Sequence, residues 1–254
     1  MRDFAAEVTP VILTRDEEAN IGRTLAQLAW AREVLIVDSL STDDTIRIAR
    51  GFPNVRVVER AFDDLASQWN FGLTETHTRW VLALDADYFV TDAFAAELRG
   101  LDPTPDIAAY VAAFDYAIHG RRLRGSLYPP RPVLLRRDVC TYWMDGHTQR
   151  LRVDGETGTL REHVVHDDRK PFRRFVQRQR VYMRQEAEKI RRAKNLNLAG
   201  RIRKLRVVAP FAVLVHTLFV KGLILDGIPG LRYTFERVVA EAILSWELIK
   251  RRRG

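Results

Sequence analysis

The sequence predicts an α/β fold, a mostly parallel sheet covered by helices, followed by a helical region that associates with membranes. Three observations lead there. Apolar runs of strand length alternate with helical patterns through the first hundred residues, the pattern of a parallel sheet with covered faces. Two of these runs end in carboxylates, Asp38 and Asp85-Ala86-Asp87, at the edge where open α/β sheets bind ligands. From about residue 169 the chain turns strongly basic and then apolar.

Val8 to Thr14 reads as the first strand. Glu17 to Leu28 is expected to be a helix, with Ile21, Leu25 and Leu28 on one face. Val34 to Val37 is a continuous apolar strand ending in Asp38. Thr42 to Arg50 reads as a second helix, with Ser41 or Thr42 as its N-cap. A third strand covers Val55 to Val58, a third helix Asp64 to Thr76, and the fourth strand Trp80 to Leu84.

The pattern changes near Leu101. Pro103 and Pro105 break the helix that follows Asp92. Ile107 to Ala117, Val133 to Arg137 and Gln149 to Val153 read as strands of a less regular region, with Pro129, Pro130 and Pro132 marking a loop. Asp167 and Asp168 before Pro171 mark a helix start, and a basic helix is expected from Pro171 to Lys194. Val207 to Leu225 is apolar except for His216 and Lys221, short for a membrane span and interrupted by Pro210. It reads as a helix lying in, or re-entering, a membrane interface. After the turn Asp226-Gly227-Ile228-Pro229-Gly230, the last helix sets Phe235, Val238, Val239, Ala242, Ile243, Trp246 and Ile249 on one face. That is the pattern of a basic amphipathic helix, or of an ordinary core-packing one. The expected domains are a catalytic one over 1–168, whose nucleotide-binding segment is 1–100 and whose acceptor segment is 101–168, and a helical region over 169–254.

The 254 residues suffice for one sizeable core. A single cysteine, Cys140, excludes a disulfide framework and fits a reducing compartment, and Met1 to Phe4 lacks the apolar core of a signal peptide. The net charge of +8 is concentrated in 169–206 and at Lys250-Arg251-Arg252-Arg253. A basic region beside apolar helices points to an anionic membrane surface. No nucleic-acid-binding signature accompanies it, so nucleic acid is not expected as a partner.

Two carboxylates at a strand tip are hard oxygen ligands. Asp85 and Asp87 can hold a divalent metal, and a metal there can hold a diphosphate, which points to a nucleotide-linked donor. The plainer alternative is a turn, which also favours Asp.

The chain resembles the family 2 glycosyltransferases through Val11-Ile12-Leu13-Thr14-Arg15-Asp16-Glu17-Glu18-Ala19-Asn20-Ile21, Val37-Asp38-Ser39-Leu40-Ser41-Thr42-Asp43-Asp44-Thr45, Gln68-Trp69-Asn70 and Leu84-Asp85-Ala86-Asp87. Asp145-Gly146-His147-Thr148-Gln149, His166-Asp167-Asp168-Arg169-Lys170 and Asp226-Gly227-Ile228-Pro229-Gly230 are similar to a bacterial subgroup that builds lipopolysaccharide core and other surface glycans. The resemblance implies a GT-A-type domain and inverting transfer of a sugar from a nucleotide diphosphate, a UDP-sugar, to a glycan or glycolipid hydroxyl. It implies nucleotide contacts from Thr14, Asp16, Glu17, Asp38, Asn70 and Asp85, with Asp38 accepting the uracil N–H, although the family usually has Asn where Asp16 stands. It places Mn²⁺ or Mg²⁺ at Asp87, joined by His166. Arg169, Lys170, Arg178 and Arg180 are candidates for diphosphate or lipid-phosphate contacts. Asp145 is the expected base, with His147 as the alternative, although the family's usual acidic pair is reduced to one carboxylate here. Trp143 and Tyr128 are candidates for stacking on a sugar ring or for core packing.

These features place the protein, as an expectation, on the cytoplasmic face of the inner membrane. Two rivals remain: a nucleotidyltransferase, which usually shows a Gly-rich basic loop where Thr14 to Glu18 stands, and a non-catalytic membrane or nucleic-acid-binding protein, which leaves the carboxylate-bearing strand ends unexplained.

Overall fold

The computed structural model describes residues 3–145, 148–193, 195 and 198–250. The chain forms two compact units. One comprises Met1–His119 with Tyr128–Arg169, the other Gly120–Leu127 with Lys170–Gly254. The boundary falls one residue after the expected end of the catalytic domain, and the short segment Gly120–Leu127 groups with the C-terminal helices.

The first unit is built on a seven-stranded sheet. Its strands are β1 (Val8–Thr14), β2 (Val34–Asp38), β3 (Val55–Glu59), β4 (Trp80–Asp85), β6 (Ile107–Ala112), β9 (Arg131–Arg136) and β12 (Glu156–Thr159), in the order β12-β6-β9-β4-β1-β2-β3. β4, β1, β2 and β3 run parallel, β12 pairs parallel with β6, and β9 runs antiparallel to both of its neighbours. Successive side chains of a strand point to opposite faces, and the core divides accordingly. Ile12, Ile36, Leu82 and Leu84 pack with Ile21 and Leu25 of α1 (Ile21–Ala26) and with Phe94 and Leu98 of α4 (Asp92–Gly100). Val11, Leu35, Val37, Val81 and Ala83 pack with Ala66, Trp69 and Leu73 of α3 (Leu65–Glu75), and with Cys140 and Tyr142 of the hairpin β10 (Cys140–Asp145) and β11 (Thr148–Val153). Gly72 is required within α3, since a Cβ there would stand 2.9 Å from Val11 Cγ1.

The parallel strands match expectation closely, but the first two helices are shorter than predicted. α1 starts only at Ile21, because Glu17 and Asn20 turn back to bond Thr45 and Asp168. α2 spans Thr45–Ala49 with Asp44 at its N-cap position. Of the two expected caps, Ser41 donates its hydroxyl to Asp38 Oδ1 at 2.6 Å and Thr42 donates its hydroxyl to Asp16 Oδ1 at 3.2 Å instead. Local polar side chains here outcompete helix extension. α3 is capped as its sequence suggests, with Asp64 accepting from Ser67 N at 2.9 Å. The predicted strand Ile107 to Ala117 is two strands broken at Ala113: β6, and β7 (Phe114–Ile118), which leaves the main sheet. In a small second sheet β13 (Val164–His166) pairs parallel with β7 and antiparallel with β5 (Tyr88–Phe89).

The second unit contains the short strand β8 (Arg121–Arg122) and helices α5 (Phe172–Arg192), α6 (Leu198–Lys204), α7 (Val208–Val215) and α8 (Ile228–Lys250). Ala187 and Ile190 of α5 pack on Leu244 and Leu248 of α8. Arg203 joins three helices, reaching Glu241 at 2.6 Å and Glu186 at 3.4 Å. The segment Gly120–Leu127 is tied in by Arg124, whose backbone N and Nε reach Asp226 at 3.0 and 2.9 Å, and by Leu127 N, which donates to the Tyr233 hydroxyl at 2.8 Å. The apolar stretch 207–225 is not one helix. α7 is followed by a π-helical turn (His216–Val220) and, after Gly222 at φ 69°, a 3-10 turn (Leu223–Asp226). Among the described residues no helix is long and apolar enough to cross a membrane. On α8, Tyr233, Ala240, Leu244 and Leu248 are buried, whereas Phe235, Ala242 and Trp246 of the predicted apolar face are exposed.

Candidate active site

The carboxyl ends of β1, β2 and β4 meet in register, with Thr14 opposite Asp38 and Leu13 opposite Asp85. Two clusters form there.

The first is centred on Asp38, which is fully buried. Its Oδ1 accepts from Thr14 Oγ1 at 2.7 Å and from Ser41 Oγ, while Oδ2 accepts from Ser41 N at 2.7 Å. The carboxylate is turned inward, and these three donors occupy most of its acceptor capacity. Its bonds to Ser41 hold the loop after β2. That loop is reinforced from the other side. Asp16 Oδ1 accepts from Thr42 N at 2.8 Å, Asp16 N donates to Ser41 Oγ at 2.8 Å, and Glu17 N donates to Thr45 Oγ1 at 2.7 Å. Asp16 has φ 51°. Asp is among the residues that tolerate this left-handed region. Leu40, at φ 60° and half exposed, has no such tolerance, so the loop stores strain. Sequence reading passed over Leu40.

Asn70, expected at the nucleotide, is engaged elsewhere. Its Nδ2 donates to Tyr142 O at 2.9 Å and its Oδ1 accepts from Tyr142 N at 2.8 Å. The amide mimics a neighbouring strand and clamps β10 to α3.

The second cluster lies at the end of β4. Asp87 is buried, and His166 Nε2 stands 3.3 Å from its Oδ2. The small sheet makes this meeting possible, because it pairs His166 with Tyr88 on one side and with Tyr116 on the other. The imidazole is packed in aromatic rings: Tyr128 stacks on it at 5.1 Å, while Tyr116 and Tyr88 meet it edgewise at 4.6 and 5.5 Å. Burial alone would lower the His166 pKa, but the Asp87 charge and hydrogen bond, with Asp168 and Asp85 behind them, outweigh it and raise the pKa. The Asp85 carboxyl is also raised, first by burial and then by Asp87, against a Tyr88 hydrogen bond and the charges of Arg131 and His166. Tyr128, a candidate for sugar stacking, is engaged by His166 and by the Arg131 guanidinium 4.7 Å from its ring centroid, and its hydroxyl meets that of Tyr88. Trp143 is 52% exposed and keeps an open face.

Arg131 is the functional candidate that sequence reading missed. It is the cation of this cluster, and Tyr128, Tyr88 and Asp85 offset the burial that would lower its pKa. The signal was its position in β9. The β4–β9 register pairs Trp80 with Arg136 and Leu82 with Leu134, and β9 runs on from there to Arg131, whose charge acts on Asp85.

The donor set of the second cluster fits a divalent cation. A buried carboxylate and a buried imidazole stand side by side, and His166 Nδ1 has no hydrogen-bond partner among the described residues. Mn²⁺ accepts both ligand types, and Mg²⁺ the oxygen ligands. No group of three or more His, Cys, Asp or Glu among the described residues is placed to hold an ion.

The basic candidates divide. Arg169 is held by the buried Asp167, with Nε and Nη2 each 3.1 Å from Oδ2, and Arg23 reaches the same oxygen at 3.0 Å. Arg169 therefore serves an internal ion pair. Lys170 opens the second unit, and Arg178 and Arg180 lie on its α5. Asp145 ends β10 at the hairpin tip, half-buried, with Arg150 Nε 3.2 Å from its Oδ2. His147, the alternative base, lies outside the described residues.

Among solved structures, a mannosyltransferase from Pyrobaculum calidifontis, in complex with GDP-Man and Mn²⁺, shares this fold with a TM-score of 0.53. Its identity is 17%, and the alignment covers 96% of this chain and 88% of that one. An uncharacterized glycosyltransferase of Rickettsia typhi is 28% identical over 107 residues, covering 42% of this chain and 36% of its relative. One from Rickettsia bellii is 29% identical over the same length and coverage. The chain thus spans little more than a third of the length of these relatives. Residues 10–158, more than half of the chain and nearly all of the first unit, match Glycosyl transferase family 2, and with the carboxylates of both clusters lying inside that stretch, the chain belongs to this family.

Proposed function

We propose that the protein is an inverting glycosyltransferase that moves a sugar from a nucleotide diphosphate, a UDP-sugar, to a hydroxyl of a glycan or glycolipid acceptor in cell-envelope polysaccharide synthesis, working on the cytoplasmic face of the inner membrane. The observation that carries the reading is the meeting of Asp85, Asp87, His166 and Arg131 at the end of β4, beside the strained loop held by Asp38.

Each group has a task. Asp87 and His166 would hold Mn²⁺ or Mg²⁺. When bound, the ion neutralises charge on the departing diphosphate. Arg131 adds a fixed positive charge in the same place, preorganised by its stacking on Tyr128. Asp85, with its Tyr88 hydrogen bond, orients ribose. Asp145 takes the proton from the acceptor hydroxyl as that oxygen attacks the anomeric carbon. The bond from that carbon to the diphosphate breaks on the opposite face, and the configuration inverts. Lys170, Arg178 and Arg180 belong to the second unit and are candidates for lipid-phosphate contacts.

Calorimetric titration of UDP with and without Mn²⁺, on wild type and Asp87→Ala, tests the reading. Metal-dependent binding lost in the variant supports it. Binding of GDP in preference to UDP would move the donor to the guanosine class of the Pyrobaculum mannosyltransferase, and binding of neither would end the transferase reading.

A further inference from the structure

The second unit carries a feature that sugar transfer does not require. Val207, Phe211, Val215, Phe219, Leu225 and Ile228 present their side chains to solvent, with exposures from 54% at Val215 to 82% at Ile228. Single exposed apolar residues are ordinary, but a contiguous set is not. The α-helical spacing of positions 207, 211 and 215 puts them on one face of α7 and its approach. Ala209 and Thr217 are buried on the other side. Thr217 Oγ1 donates to Val213 O at 2.7 Å, and the π-helical turn at 216–220 follows, with Phe219 and Val220 exposed on it.

We infer that this surface inserts into one leaflet of an anionic bilayer, with α7 and the turns after it as the inserted element. The inference rests on the membrane placement proposed above and names the surface responsible. The geometry limits insertion to the interface: α7 has eight residues, ~12 Å of helix against a hydrocarbon core of ~30 Å. Charge selects lipid over a second copy of the chain. From Leu198 to Phe235 the only carboxylate side chain is Asp226, and it is buried and paired with Arg124. Arg201, Lys204 and Arg206 precede the patch and Lys221 lies within it. Two such surfaces facing each other would set cation against cation, whereas phosphatidylglycerol headgroups complement them.

The test uses the full chain with sucrose-loaded vesicles. Wild type should sediment with phosphatidylglycerol–phosphatidylethanolamine vesicles and far less with phosphatidylcholine alone. Phe211→Ser/Phe219→Ser/Leu225→Ser should weaken that partitioning at least about tenfold, with nucleotide binding unchanged. A fluorophore on Phe219→Cys should be quenched by nitroxide-bearing lipid. Equal partitioning to neutral vesicles, unchanged partitioning of the triple variant, an unquenched label at 219, or dimerisation through this face without vesicle binding would each overturn the inference. Wild type that sediments but binds neither UDP nor GDP would instead count against the donor reading above and leave this surface standing.

Discussion

His166 Nε2 lies 3.3 Å from Asp87 Oδ2, and the contact is made by strand pairing, since β13 lies antiparallel to the two-residue strand that directly follows Asp87. The pair is thus a product of topology, fixed before any ligand arrives, and a preorganised site of this kind loses no energy to rearrangement during reaction.

Asp87→Ala should abolish the metal-dependent component of nucleotide binding and lower kcat at least about a hundredfold, since a Lewis acid supplies several kcal/mol of charge stabilisation. His166→Asn should weaken metal affinity by about 10- to 100-fold with circular dichroism unchanged. Titration with Mn²⁺ at fixed UDP checks both. An unaltered metal dependence in Asp87→Ala would remove this residue from its assigned role.

Arg131→Met should lower kcat about 10- to 100-fold with a smaller change in donor KM, because its charge serves the departing diphosphate more than the ground state. Arg131→Lys should recover only a fraction of the loss, lacking the planar group that stacks on Tyr128. Steady-state kinetics of the two variants would decide, and an effect confined to KM would recast Arg131 as a binding residue.

Asn70→Ala removes both hydrogen bonds to Tyr142 and should cost about 2–3 kcal/mol of stability, read as a lower urea midpoint. Donor affinity should stay within about twofold of wild type. A selective loss of donor binding without destabilisation would return Asn70 to the nucleotide.

Burial pushes the Cys140 thiol up to about 11. At pH 8 only about one molecule in a thousand carries the thiolate, so a disulfide reagent should label the native protein far more slowly than the denaturant-unfolded chain. The sign for stability follows. The raised native pKa favours the protonated thiol in the fold, so its contribution is complete below the unfolded value of roughly 8.5 and is lost as pH rises from there towards 11. Cys140→Ser should flatten the urea midpoint across that window.

The parallel strands were legible because a continuous apolar run between turn signals has few other solutions, and β1, β2 and β4 end within a residue of expectation. The first two helices were not, because Ser41, Thr45 and Asn20 bond across loops that periodicity does not register. Asp85, Asp87 and His166 stood out as strand ends or beside acidic pairs. Arg131 did not, because its meaning lies in the antiparallel register of β9 with β4, a pairing invisible in a stretch of three prolines. The engagement of Asn70 was illegible for a related reason: its motif position is the same whether its amide faces a ligand or the backbone of Tyr142.

That register also sorts which length changes the chain can accommodate. In its pairing with β6, β9 carries a bulge between Leu134 and Pro132, so deleting one residue between Arg131 and Leu134 would move the guanidinium away from its present place over Tyr128 and near Asp85. Insertions and deletions accumulating in descendants of this gene should therefore avoid those four positions and collect in the turns that set no register, and a library of random single-codon deletions would show the gap directly.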